Sequence, residues 1–124
     1  MFISIYKEGC GLKTRPDFLW DCDTHFLILE VDENQHLNYE CDRPRMINIS
    51  QALGMKTLFI RYNPDKFKVN GRLSKTSDNE RCKQLIAWLK HTKETNYEFK
   101  GFCSYIELFF DGYKKSDKEI KVLL

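Results

Sequence analysis

Arg15-Pro16-Asp17-Phe18-Leu19-Trp20, followed by Phe26-Leu27-Ile28-Leu29-Glu30-Val31-Asp32, is the stretch that decides the fold. Two apolar runs, Phe18-Leu19-Trp20 and Phe26-Leu27-Ile28-Leu29, flank a polar patch, Asp21-Cys22-Asp23-Thr24-His25. A tight turn centred between Asp23 and Thr24 folds such runs into an antiparallel hairpin. That register sets Asp17 opposite Glu30, with Cβ atoms roughly 5 Å apart. Side chains alternate along a strand, so Asp32 shares a face with Glu30. A slip of one residue would send these side chains to opposite faces, so the alignment depends on the turn.

Three carboxylates at one end of a hairpin repel one another, and a hard divalent cation between them relieves that repulsion. Acidic strand ends are also common as plain solvated surface. The apolar runs immediately inside the acids argue for a packed support beneath them.

Further along, Met46, Ile47, Ile49 and Leu53 supply the apolar side of a helix. Asp42 caps it, Pro44 sits in its first turn and Gly54 ends it. Thr57 to Tyr62 reads as a strand ended by Asn63-Pro64-Asp65, and residues 66–77 as a polar loop around Asn70-Gly71. A second helix is expected from Asp78 to Thr92, with Cys82, Leu85, Ile86 and Leu89 facing the core and Trp88 beside that stripe. Residues 104–110 form a final apolar strand. Residues 1–6 suggest a short strand and 7–13 a glycine-bearing loop, while 114–124 read as a charged tail, either a frayed helix or a partner-binding segment. The order is hairpin, helix, strand, helix, strand. It predicts a single α/β domain over residues 1–113, a mixed β-sheet with flanking helices and parallel neighbours across each strand–helix–strand unit.

A chain of 124 residues supports one core. No apolar run approaches membrane-spanning length and the N-terminus does not resemble a signal peptide, so an intracellular protein of cytoplasm or nucleus is expected. Cys10, Cys22, Cys41, Cys82 and Cys103 are scattered and form no CxxC pair. They read as mostly reduced thiols rather than zinc ligands. The net charge of +2 hides an asymmetry. From Asp17 to Arg45 eight acids face Arg43 and Arg45, whereas from Lys56 to Lys93 cations dominate. An acidic metal site beside a basic segment is the arrangement by which a protein holds both a cation and a phosphate backbone.

Pro16-Asp17 followed by Glu30-Val31-Asp32 resembles the PD-(D/E)xK signature of restriction-endonuclease-like nucleases. The chain is more closely similar to small, mostly uncharacterised proteins of that superfamily in large DNA viruses and some bacteria. It shares with them Arg15-Pro16-Asp17-Phe18, the run from Glu30 to His36, Tyr39, Asp42, Arg45 and Phe59-Ile60-Arg61-Tyr62-Asn63-Pro64-Asp65. The likeness spans roughly residues 10–110. A more distant one joins it to the very-short-patch mismatch endonucleases.

The resemblance implies a restriction-endonuclease-like fold and a Mg²⁺- or Mn²⁺-dependent endonuclease, with DNA as the expected nucleic-acid partner. Asp17 and Glu30 would hold the metal, with the Val31 carbonyl and Asp32 as further ligands. Asp32 stands where these nucleases usually carry Lys, so His36 is the candidate for proton transfer. Arg45, Arg61 and Gln35 are the candidate nucleic-acid contacts, and Tyr39 a supporting residue. Arg45 could alternatively pair with Asp42 on its own helix turn. The missing Lys raises a second possibility, a catalytically inactive module of the same fold that binds nucleic acid or protein. A homodimer or protein partner would supply the surface that so small a domain lacks for base readout. For a viral protein the compartment would be the host cell.

Overall fold

The computed structural model describes residues 15–35, 39–114 and 120–124. Among the described residues, seven strands and two helices follow in chain order: β1 Phe18–Asp21, β2 Phe26–Val31, α1 Tyr39–Leu53, β3 Thr57–Tyr62, β4 Lys68–Val69, β5 Arg72–Leu73, α2 Asp78–Thr92, β6 Cys103–Leu108 and β7 Lys121–Val122. A 3-10 turn, Glu33–Gln35, links β2 to the approach of α1.

The main sheet runs β1-β2-β3-β6-β7, and β4 pairs only with β5. The inner pairs β2–β3 and β3–β6 are parallel, and the outer pairs β1–β2 and β6–β7 antiparallel. The expected hairpin register holds: Phe18 faces Leu29 and Asp21 faces Phe26. Asp23 makes the turn with a φ of 67°, and the Cys22 amide donates to the His25 carbonyl across it. Asp17 lies just before β1, outside the paired residues.

Strand alternation sorts the core into two layers. Leu27, Leu29, Leu58, Ile60, Ile106 and Leu108 form one cluster, against which Leu85, Trp88 and Leu89 of α2 pack. Ile28, Phe59, Cys103 and Tyr105 form the other with Met46 and Ile49 of α1. A helix therefore covers each face of the sheet. β3 lies at the centre, which is why its first five residues are all buried.

Several expectations change. The first helix opens at Tyr39, ahead of Asp42, so Pro44 lies inside it and the bond to the Glu40 carbonyl cannot form. Gly54 ends it as expected, with a φ of 72° and its amide donating to Ser50. The loop around Asn70-Gly71 is a hairpin, β4–β5, whose turn residues both have positive φ, as a primed turn requires. In α2, Cys82 and Ile86 face outward, Ile86 being 48% exposed, and Arg81 is buried in their place. The helix is rotated because Arg81 satisfies its charge inside. Its guanidinium donates to the Asn63 and Asp65 carbonyls and lies over the Phe67 and Phe109 rings. Lys121–Val122, expected within a tail, forms a fifth strand on β6. Cys22, Cys82 and Cys103 are free, in keeping with the reading of mostly reduced thiols, while Cys41 is disulfide-bonded. Burial pushes the Cys103 thiol up to about 11, which keeps it a core group. Residues 1–14, which include the suggested first strand and loop, lie outside the described residues.

Ser77 caps α2 by accepting a bond from the Glu80 amide at 3.2 Å. Ser77→Ala should cost about 1 kcal/mol. A thermal melt should show the midpoint lowered by about 4 °C for a domain of this size.

Candidate functional site

The C-terminal ends of β2 and β3 lie side by side because the two strands are parallel. The register places Glu30 beside Arg61 and Arg61 beside Glu107, so a row of charged residues crosses β2, β3 and β6. Ile28 and Phe59, two residues earlier on β2 and β3, belong to the α1 layer. Glu30 and Arg61 therefore project to that layer, under the first turns of α1.

In this layer the buried acids meet arginines. Glu30, 2% exposed, pairs with Arg45 Nη2 at 2.7 Å. Asp32 accepts two bonds from Arg61, at 2.6 Å from Nε and 2.9 Å from Nη2. Asp42 approaches the same guanidinium at 3.5 Å. Burial alone would lower the Arg61 pKa, but the hydrogen bonds it donates to Asp32 and the charges of Asp32, Asp42 and Glu30 outweigh it and raise the value. This fork geometry, planar donor against planar acceptor, is the strongest form of a carboxylate pair.

Asp17 differs from these. It is exposed, and its Oδ2 accepts a bond from the Val31 amide at 2.9 Å. That contact holds its carboxylate at the edge where β2 presents Glu30. Of the expected pair, Asp17 is thus exposed at the end of β2 and Glu30 is buried beneath α1.

Asp32, expected as a further metal ligand, accepts from Arg61. Arg61, expected against phosphate, is 2% exposed and directed inward. Arg45, expected against phosphate or Asp42, is buried and meets Glu30, and Asp42 approaches Arg61. Gln35 forms a reciprocal pair with Asp111, donating to its Oδ1 at 2.9 Å and accepting from its amide at 2.7 Å. The Lys68 amide and the Gln35 side chain together hold the Asp111 carboxyl below its usual range. His36 lies outside the described residues, and Tyr39 is described only as the first residue of α1.

Sequence reasoning missed the organising role of Asn63. Its side chain is fully buried and accepts from the Asp65 and Gln35 amides while donating to the Phe109 carbonyl. The Asn-Pro-Asp run after β3 was the available signal, since Asn before Pro marks a turn made by side-chain bonds.

Among the described residues, no group of three or more His, Cys, Asp and Glu side chains is gathered to hold a metal ion. A magnesium ion needs only one or two carboxylates, because water and substrate phosphate complete its shell. Asp17 and Glu30 have the donor chemistry for that. A separate cavity of about 470 Å³, lined by Gln84, Trp88, His91, Tyr97 and Tyr113 among others, lies on the α2 side of the sheet, away from these acids.

No family model, curated protein or solved structure matches the chain. Fold and site define a mixed α/β domain with an ion-paired layer under its first helix and one carboxylate held at the sheet edge. No helix among the described residues is long and apolar enough to cross a membrane.

Proposed function

We propose that this chain is a metal-dependent endonuclease that hydrolyses nucleic-acid phosphodiester bonds, with DNA as substrate and Asp17 and Glu30 as the metal-holding pair. The observation that supports the reading is the Val31 amide, which bonds the Asp17 carboxylate next to Glu30 in the chain, on a β1–β2 register that would carry Asp17 opposite Glu30 one step beyond Phe18–Leu29. Two hard oxygen donors at one edge suit Mg²⁺ or Mn²⁺. Such an ion would activate a water and offset charge on the phosphate. Arg45 pairs with Glu30 and orients it, and Arg61 does the same for Asp32. The Val31 carbonyl as a further ligand and His36 as proton-transfer group belong to this proposal.

One observation favours a second reading. Asp32, where the resembling nucleases have Lys, is held by Arg61 and offers no ammonium in its place. That suits a catalytically inactive module that binds nucleic acid or protein.

The test is a cleavage assay on plasmid and single-stranded DNA with Mg²⁺ or Mn²⁺, an EDTA control, and the variants Asp17→Asn and Glu30→Gln. These substitutions keep side-chain volume while removing charge. Metal-dependent cleavage by the parent, abolished in both variants, is the expected outcome. Cleavage that survives unchanged in both would remove these residues from the active site. Tight, salt-sensitive binding without cleavage would favour the inactive module.

A further inference from the structure

We propose that the β4–β5 hairpin, with its approach and exit, is the surface that binds the phosphodiester backbone of nucleic acid and leads it to the Asp17–Glu30 edge. The proposal rests on the reading that the chain acts on nucleic acid. It begins from the fate of the expected cations: Arg45 and Arg61 are buried and paired with carboxylates. A phosphate backbone must be met by others.

Lys66, Lys68, Arg72 and Lys75 are all exposed, and none is in an ion pair among the described residues. Between Lys66 and Lys75 the chain contains no Asp or Glu. Ordinary surfaces intersperse charges of both signs. A segment of one sign raises the local potential and attracts a polyanion.

The hairpin is also held in place. Phe67, at its base, is buried against Phe109, Tyr113 and the Arg81 guanidinium. The Ser74 amide donates to the Phe67 carbonyl and closes the ribbon. A preorganised set of cations loses less entropy on binding than a flexible one.

Its position connects it to the acids. The hairpin leaves the C-terminal end of β3, beside the end of β2 that carries Glu30 and leads into Asp32. The Gln35 amide donates to the Asp32 carbonyl, and the Gln35 side chain reaches Asp111 and the Lys66 carbonyl. Asp111 in turn accepts from the Lys68 amide at 2.8 Å. A short hydrogen-bonded path thus joins the carboxylate edge to the cationic ribbon. The ribbon exposes one large apolar side chain, Leu73, and no aromatic ring to insert into lipid, which favours nucleic acid over an anionic membrane.

The experiment compares the parent with the variant K66Q/K68Q/R72Q/K75Q and with a control, K90Q/K100Q, whose exposed lysines lie toward the opposite end of the sheet. Binding of fluorescein-labelled single-stranded and duplex DNA is followed by anisotropy from about 50 to about 200 mM salt. The hairpin variant should lose affinity by about tenfold or more at low salt, with the log–log salt slope shallower by about 3. The control should bind as the parent does, and all three should melt at the same temperature. Unchanged binding by the hairpin variant overturns the proposal, even if cleavage is lost in Asp17→Asn. Binding lost in the hairpin variant, with no cleavage by the parent, leaves the hairpin assignment standing and removes the nuclease reading. A parent that binds phosphatidylserine vesicles but neither form of DNA overturns both.

Discussion

Arg61→Ala is expected to lower folding stability by about 3–5 kcal/mol, because removing one member of a buried charge pair strands the other. Arg61 is 2% exposed and serves Asp32 through two hydrogen bonds, with Asp42 close by. Its removal leaves two acids clustered near Glu30 without their shared cation. A domain of ordinary stability, about 5–15 kcal/mol, would then sit near its unfolding threshold. Urea unfolding monitored by circular dichroism gives the measurement. A paired variant, Asp32→Asn with Arg61→Met, should recover much of the loss, since the cost comes from the uncompensated carboxylate rather than the missing side chain. Parent-like stability in Arg61→Ala would show that the fork is not a structural pair.

The two acids of the candidate site should separate sharply in stability. Glu30→Ala leaves the Arg45 guanidinium, 5% exposed, without the carboxylate it meets at 2.7 Å, and should cost about 3 kcal/mol or more. Asp17→Ala removes a solvent-facing acceptor of the Val31 amide and should cost about 1 kcal/mol. Denaturant midpoints of both variants decide the comparison, and a double-mutant cycle with Arg45→Met isolates the pair. Equal losses for Asp17→Ala and Glu30→Ala would contradict the division into an edge acid and a buried one. The same difference makes Glu30→Gln, rather than Glu30→Ala, the useful variant for activity. An unfolded enzyme and a disarmed one both fail to cut.

Part of this architecture was legible because it is local. The turn at Asp23, two apolar runs and a period of two set the hairpin register. Gly54 signalled the end of the first helix, and the run from Thr57 to Tyr62 is the strand the sequence suggests. The stripe of the second helix was misread by a rotation. Cys82 and Ile86 are more apolar than Arg81, yet cation–π contacts and two carbonyl acceptors make Arg81 the better buried group. The β4–β5 hairpin was too short to show alternation, with two residues per strand.

Arg61 illustrates the limit. In Phe59-Ile60-Arg61 the arginine shares a strand face with a core phenylalanine, which in hindsight pointed inward. From the chain alone, an arginine that meets phosphate and one that neutralises a buried acid look alike. The sequence by itself determined strands β1, β2, β3 and β6, the hairpin register, and the acidic and basic halves. These depend on neighbours a few residues apart. Only the tertiary structure decided which cation belongs to which acid, because those partners lie on different elements: Glu30 with Arg45 and Asp32 with Arg61. Their pairing follows from how α1 and the connections beyond β3 and β6 pack against the sheet.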